Sequence, residues 1–421
     1  MINFCIFEDN KQANLVPVTD IAPIYDLTVG INSNFEKFYS IFNYGNITLH
    51  CRQHLKPLLQ KKYSDFAINN INSGSACLFF NGRALLNPSL IKKLKSIKEN
   101  TNTLFTFKGN VVACFLKGQL LNSFIRFFDS LPENQDMIEH VRSHCVTEEL
   151  EDVDMIEYPW DIIRFNPTYI KHDFEALNLP GIIKGDIKPF TVIYNEINVF
   201  IDEGCVIEDF VVLDATKGPI YIEKNTTINA HTRLEGPIYI GENSHILGGN
   251  IKQTSIARNC KVSGEVSQCV IQHYTNKAHY GYLGNSYIGR WVNLGAGTTT
   301  SNLKGNYSTV SIQIEGKSFD TGLQFLGSII GDYSKTSIGT CLNTGTIVGL
   351  GSLVINHDFN TKYYPSFSWG NPQQEIRFDI EKFLQSLVRI KKRRNIEVTK
   401  VEEALFNLIY TKKINSYQNE V

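Results

Sequence analysis

The alternation of apolar and polar residues changes period twice along the chain. Up to about residue 178 it is the pattern of alternating strands and helices. INFCIF (2–7) and ACLFFNG (76–82) are near-continuous apolar runs, as in strands covered on both faces. NFEKFYSIF sets Phe35, Phe38 and Phe42 on one helical face. In NPSLIKKLKSIKEN, Asn87 suits an N-cap and Pro88 a first turn, and Leu90, Ile91, Leu94 and Ile97 form the apolar stripe. TLFTFKGNVVACFLKG reads as a hairpin turning at Lys108-Gly109-Asn110, and LLNSFIRFF as a helix. This alternation predicts an α/β sandwich with a mostly parallel sheet. The acidic stretch EELEDVDMIEYPWD then leads into a helical connector, IIRFNPTYIKHDFEALN.

From Leu179 the period becomes six. Ile222, Ile228, Leu234, Ile240 and Ile246 are spaced by six residues; so are Tyr282, Ile288, Leu294 and Thr300, and so are Ile330, Thr336, Leu342, Val348 and Val354. Gly, Asn, Thr and Ser fill the intervals and suit turns. Neither a helix nor an alternating strand keeps this beat. A left-handed parallel β-helix does: each hexapeptide is one short strand and one turn, three make a triangular coil, and the aliphatic residue points inward. The beat breaks over Lys304 to Gly327, where a loop expelled from the coil is expected on a binding face. After YYPSFSWGNP the pattern turns helical. FDIEKFLQSLVRIKKRRN is followed by TKVEEALFNLIY, which opens on a Thr399–Glu402 capping box. These helices are expected to cover the open end of the prism. The expected division is therefore 1–178, 179–370 and 371–421.

Composition narrows the function class. Lys and Arg number 41 against 42 Asp and Glu, a net charge of −1, so nothing in the bulk charge points to nucleic acid or an anionic membrane. No apolar run approaches the length of a membrane span. The nine cysteines are scattered singly without a CxxC, and the start has acids directly after its apolar run, unlike a secretory leader. Buried thiols in a reducing cytoplasm are the expectation. Histidine and cysteine spacing offers no metal site. The basic run Lys391–Arg394 reads as a solvated face or as a patch for an anionic cofactor.

Chemistry concentrates in NKAHYGYLGNSYIGRWVNLGAGTTTSNL (276–303). His279 lies off the six-residue beat, as do Asn293 and Asn302, and can face a groove. A neutral imidazole is suited to take the proton when an amine attacks a thioester. The stretch resembles the acetyltransferase half of the bifunctional enzyme that makes UDP-N-acetylglucosamine, matching from His279 through Tyr282, Val292-Asn293 and Gly295-Ala296-Gly297-Thr298 to Asn302. The resemblance implies His279 as general base, Glu265 as its carboxylate partner, and Asn302 beside the reacting acyl group. It implies Tyr282 and Asn293 on the acceptor sugar and Ala296 where the backbone meets acetyl-CoA. The family's two cations for the sugar phosphate fall on Leu247 and Ser267; Lys277, Arg290 or Lys304 are the available replacements, and Lys304 is also a candidate for the cofactor.

The first half resembles sugar-phosphate nucleotidyltransferases, with a Rossmann-like α/β fold, through Leu15, Pro17, Thr19 and Pro23 of FEDNKQANLVPVTDIAPIYDL. Residues 9–14 replace that family's Gly-rich phosphate loop, and Asn81-Gly82-Arg83 stands where it has an Asn-Gly followed by a magnesium-binding aspartate. Lys11, Asn81 and Arg83 are the candidates for nucleotide phosphates. Magnesium is implied, with only Asp9 and Asp26 to suggest as ligands. Taken whole, with NGRALLNP, YPWDII, FDTGLQFLG and PSFSWG, the chain resembles GlmU-like sugar nucleotidyltransferases of Bacteroidetes, often labelled glucose-1-phosphate thymidylyltransferases. The expectation is an enzyme of sugar-nucleotide metabolism, a homotrimer acting at grooves between prisms, which transfers an acyl group from acetyl-CoA to an amino sugar. Two alternatives stay open: uridylyl or thymidylyl transfer by the first domain, and a nucleotide-sugar sensor or scaffold without catalysis.

Overall fold

A computed structural model describes residues 2–71, 74–128, 141–314, 316–355, 361–370 and 377–418. Residues 371–376, where the expected tail begins, lie outside the described residues. The first half contains strands β1 (Ile2–Phe7), β2 (Ile47–Leu49), β3 (Ala67–Ile68), β4 (Ala76–Asn81), β5 (Ala84–Leu85), β6 (Thr103–Phe107), β7 (Asn110–Lys117) and β8 (Val146–Glu149). Seven of them form a sheet in the order β3-β2-β1-β4-β7-β6-β8. β1 runs parallel to β2 and β4, and β7 runs antiparallel to β4 and β6. The apolar run of β1 has its physical reason in two helices. Phe4 packs on Phe38 and Phe42 of helix Asn34–Phe42, while Cys5 and Phe7 join Phe79 and Phe124 on the opposite face. The β6–β7 hairpin turns at Lys108 and Gly109, both with positive φ, as a two-residue turn requires. Asn87 caps its helix by accepting the Leu90 N–H at 2.7 Å.

The second half is a parallel β-helix. One wall is a nine-stranded parallel sheet running from Val199–Ile201 through Ile238–Ile240, Val270–Ile271 and Tyr287–Ile288 to Tyr363–Tyr364. Ile222, Ile228, Leu234, Ile240 and Ile246 are all buried in its core, as the six-residue beat requires. The second run slips at one position. Leu283 aligns with Val266 and points inward, so Tyr282 faces out, half-buried. Successive coils align equivalent corners, and Tyr274, Trp291 and Tyr333 stack there with centroids 4.2 and 6.1 Å apart.

The nine-stranded wall is covered on its outside as well. Tyr221, Tyr239, Val270, Tyr287, Ile329 and Ile347 are buried against the connector helix Pro159–Leu177 and the segment 16–31. Gln272 exchanges hydrogen bonds with the Thr28 backbone, and Ser255 Oγ donates to the Gly30 carbonyl at 2.6 Å. The loop expelled after Lys304 forms a hairpin, Ser311–Ile314 with Lys317–Asp320. Its Val310, Ile312 and Ile314 pack with Leu15, Val18, Leu85 and Trp160, so the insertion fastens the two halves together. The helices Ile380–Lys392 and Lys400–Gln418 also depart from expectation. Phe383, Leu387, Leu405 and Phe406 pack side-on against Trp291, Tyr333 and Leu350 at a corner, and against Leu55 and Leu59 of the first half, instead of closing the end of the prism. The Thr399–Glu402 capping box is present. None of the described helices is long and apolar enough to cross a membrane.

Candidate functional site

His279 occupies the corner between two strands of one coil, Asn276–Lys277 and Tyr282–Gly284, on the side away from the covered wall. It is exposed, as is Tyr280. The corner is tight because Gly281 turns there at φ +124°, and a Cβ would stand 2.2 Å from the Thr298 carbonyl oxygen of the next coil. Only glycine permits that approach.

Beneath the turn lies a residue that the apolar beat conceals. Lys277 aligns with Val262 and points into the prism, 2% exposed. Its Nζ donates to the carbonyl oxygen of His279 at 2.6 Å. Burial pulls the ammonium down from an ordinary 10.5 to about 8. Expected to reach a substrate, Lys277 instead braces the His279 turn from inside. The other proposed replacements for the missing phosphate-holding cations are also committed. Arg290 donates to the Asp26 carboxylate at 3.0 Å, and Lys304 Nζ to the Thr309 carbonyl at 2.5 Å, closing the base of the inserted loop.

Of the expected partners, Tyr282 and Asn302 come together. The Asn302 amide donates to the Tyr282 phenol oxygen at 2.9 Å and to Asn285 Oδ1 at 2.7 Å, and Asn285 donates to Gln268 Oε1 at 2.7 Å. Burial raises the Tyr282 phenol, so it stays protonated. Glu265 sits directly beside Tyr282 in the neighbouring coil. It is exposed, and among the described residues no hydrogen bond or ion pair joins it to His279. Asn293 lies on the other face flanking the corner, where its Oδ1 accepts from Asn276 at 3.4 Å. Asn276 in turn accepts from Arg394 at 3.2 Å. The basic run is thus divided: Lys391 is buried on Glu402, Arg394 rests on the site face, and Lys392 and Arg393 are exposed. Ala296 belongs to the corner stacked next to the His279 turn, with Gly297 N–H donating to the Tyr280 carbonyl at 3.2 Å. Sequence reasoning missed Gln268 and Asn285. Both have positive φ at equivalent corners, a conformation amide-bearing residues tolerate, and that recurrence is the signal that finds them.

In the first half the candidates form one cluster beyond the C-terminal ends of β1 and β4. Arg83 is fully buried. Its Nε and terminal nitrogens donate to Asp9 Oδ1 at 2.8 Å, Asp9 Oδ2 at 2.6 Å, Asn110 Oδ1 at 3.2 Å and the Ile156 carbonyl at 3.0 Å. Asn81 also donates to Asp9, at 2.8 Å, and exposed Lys11 donates to Asn110 Oδ1 at 2.7 Å. Arg83 is therefore the internal partner of Asp9 and does not present itself to a phosphate.

This donor set does not fit magnesium, which needs oxygen ligands in near-octahedral array. Both Asp9 oxygens already accept charged N–H groups, and a metal would meet the guanidinium at roughly 4 kcal/mol per unit charge, for about 4 Å and an effective dielectric near 20. Asp26 fits no better. Burial alone would raise its carboxyl, but Lys62 and Arg290 prevail and hold it well below the ordinary range. Among the described residues no group of three His, Cys, Asp or Glu side chains is placed to hold a metal.

Residues 4–179 match a family model described as sugar nucleotidyl transferase. The chain is 26% identical over 249 residues to the bifunctional protein GlmU of Baumannia cicadellinicola, covering 55% of this chain and 52% of that protein. It is 33% identical over 141 residues to a bifunctional sugar-1-phosphate nucleotidylyltransferase/acetyltransferase of Sulfurisphaera tokodaii, covering 32% and 34%. With the GlmU of Methanococcus vannielii it shares 29% identity over 205 residues, covering 47% and 41%. The chain thus spans about half, or less, of the length of these relatives.

Proposed function

We propose that the β-helix transfers an acyl group from an acyl-CoA, acetyl-CoA in the first instance, to the amine of an amino sugar, with His279 as general base. The observation that carries this reading is the construction of the His279 turn. An exposed imidazole is held by a backbone carbonyl bond to an internal lysine and by a glycine corner, beside the Tyr282–Asn302 pair. Neutral imidazole takes the proton as the amine attacks the thioester carbonyl, the C–S bond then breaks, and CoA leaves as its thiol. Asn302 spends both amide N–H groups on the Tyr282 phenol oxygen and Asn285, which leaves the Tyr282 O–H to donate near the acyl oxygen; Tyr282 and Asn293 flank the sugar, and Glu265 orients the imidazole once the site is closed. Ala296 would meet the cofactor through its backbone, beside the exposed Tyr280 ring that lies against Gly297.

Because His279 stands on an exposed corner, a neighbouring copy in a homotrimer completes the groove and excludes water. With Lys277, Arg290 and Lys304 committed elsewhere, exposed Lys252, beside Ser267 in the adjoining coil, is a cation left to meet a phosphate on the acceptor. The family match and the names of the relatives support sugar-nucleotide metabolism. Nine free cysteines fit a reducing cytoplasm.

The test is acetyl-CoA turnover against a panel of amino sugars, with CoA read by chromatography, since a thiol reagent would also titrate the protein's cysteines. His279→Ala should lower the rate by about 10²- to 10⁴-fold. Undiminished turnover removes the role. The second reading, nucleotidyl transfer by residues 4–179, is favoured by the family match and predicts pyrophosphate release from UTP or dTTP with a sugar 1-phosphate.

A further inference from the structure

We propose that Arg83 is a tethered cation that takes the place of a divalent metal at Asp9, so that the first domain engages a nucleotide or nucleotide sugar without magnesium. Position supports a ligand site here. Phe7 pairs with Asn81, so Asp9 and Arg83 each lie two residues past the ends of neighbouring parallel strands. In the sheet order β3-β2-β1-β4, the connection from β1 leads to β2 on one side, while β4 lies on the other. The gap between β1 and β4 is thus a point where strand order reverses, the place where open α/β sheets bind ligands.

Charge supports the kind of ligand. A lone aspartate at that crevice would repel phosphate unless a metal lay between them. Here the Arg83 guanidinium already neutralises Asp9 with two N–H bonds. Asn81 and Asn110 fix both partners. Lys11 and Glu157 both bond Asn110, at 2.7 and 3.1 Å; Glu157 is half-buried, whereas Lys11 is exposed and presents its positive charge toward solvent, where phosphate oxygens would approach. Arg83 is a positioning residue in this arrangement, and Lys11 is the residue that meets the ligand. The proposal does not depend on acyl transfer, and its test does not measure it.

Full-length protein is titrated calorimetrically with UTP and with dTTP, once in EDTA and once in excess magnesium. Affinity for the preferred nucleotide should agree within three-fold between the two conditions, and Lys11→Ala should weaken it at least five-fold in both. Tightening of ten-fold or more by magnesium, absence of binding in both conditions, or magnesium-dependent pyrophosphate release with a sugar 1-phosphate overturns the proposal. A second measurement follows Mn²⁺ alone by electron paramagnetic resonance. Wild type and Asp9→Asn should titrate alike, whereas a ten-fold loss in Asp9→Asn overturns the proposal. Because Asp9→Asn leaves a buried guanidinium without its partner, the wild-type calorimetry decides the matter if that variant does not fold.

Discussion

Lys277→Met tests the most unusual feature of the β-helix, a lysine on an inward-facing position. The folded protein holds the amine at about 8 against 10.5 in the unfolded chain. That depression means the charged form costs about 3 kcal/mol more inside the prism than in the unfolded chain. The bond to the His279 carbonyl returns about 1 kcal/mol, which methionine forfeits. The variant should therefore be more stable than wild type by about 2 kcal/mol at pH 7. The sign of the pH dependence is fixed by the direction of the shift. Below pH 8 both states are protonated and the full penalty acts; between pH 8 and 10.5 only the unfolded chain still binds the proton, so wild type gains stability as pH rises. By pH 10 the advantage of methionine should vanish or reverse. Urea unfolding of both proteins at pH 7 and pH 10, at equal concentration and under reductant, reads this difference. An equal difference at the two pH values, or a less stable variant at pH 7, would refute the reasoning. The same variant should lose acyl transfer, because the turn that carries His279 is no longer braced.

Other outcomes follow from the same geometry. Gly281→Ala should destabilise by about 1–3 kcal/mol through its positive φ alone, with the clash on Thr298 adding to it, and should lower the thermal midpoint. Asp26→Asn removes the carboxylate shared by Lys62 and Arg290 at the junction of the halves and should cost about 3–5 kcal/mol. Since the Asp26 carboxyl is depressed in the folded state, its contribution is present above the unfolded carboxylate value and is lost as acid protonates it. Wild type should therefore show an acid transition in hydrogen exchange at segment 16–31 that Asp26→Asn lacks. Asn302→Ala frees the Tyr282 phenol oxygen and should reduce acyl transfer while leaving the thermal midpoint within a few degrees, since the pair lies near the surface.

The aliphatic beat made the β-helix legible because its coils stack identical inward positions, and the caps at Asn87 and Thr399 were legible because they are local. Lys277 was legible in spacing but not in chemistry. It stands six residues after Ile271 and six before Leu283, on the beat, yet a lysine suggests solvent. Ile288 then follows Leu283 by only five positions, and this shortened side is what turned Tyr282 outward. Arg83 was read as a phosphate ligand because its partners, Asp9 after β1 and Asn110 at the start of β7, are distant in sequence and no local pattern connects them. Which sides of the prism the insertion and the final helices cover was equally hidden, since it depends on apolar surfaces meeting across the whole chain.

The doubly covered wall has a consequence for assembly. A closed ring of identical copies joined head to tail requires each copy to present two different surfaces, one to each neighbour. A triangular prism offers three, and this chain uses one of them to seat its own first half. The two that remain are those that meet at His279. Any ring built from them turns the first domains outward like spokes and brings every imidazole to a seam, so the number of seams equals the number of copies.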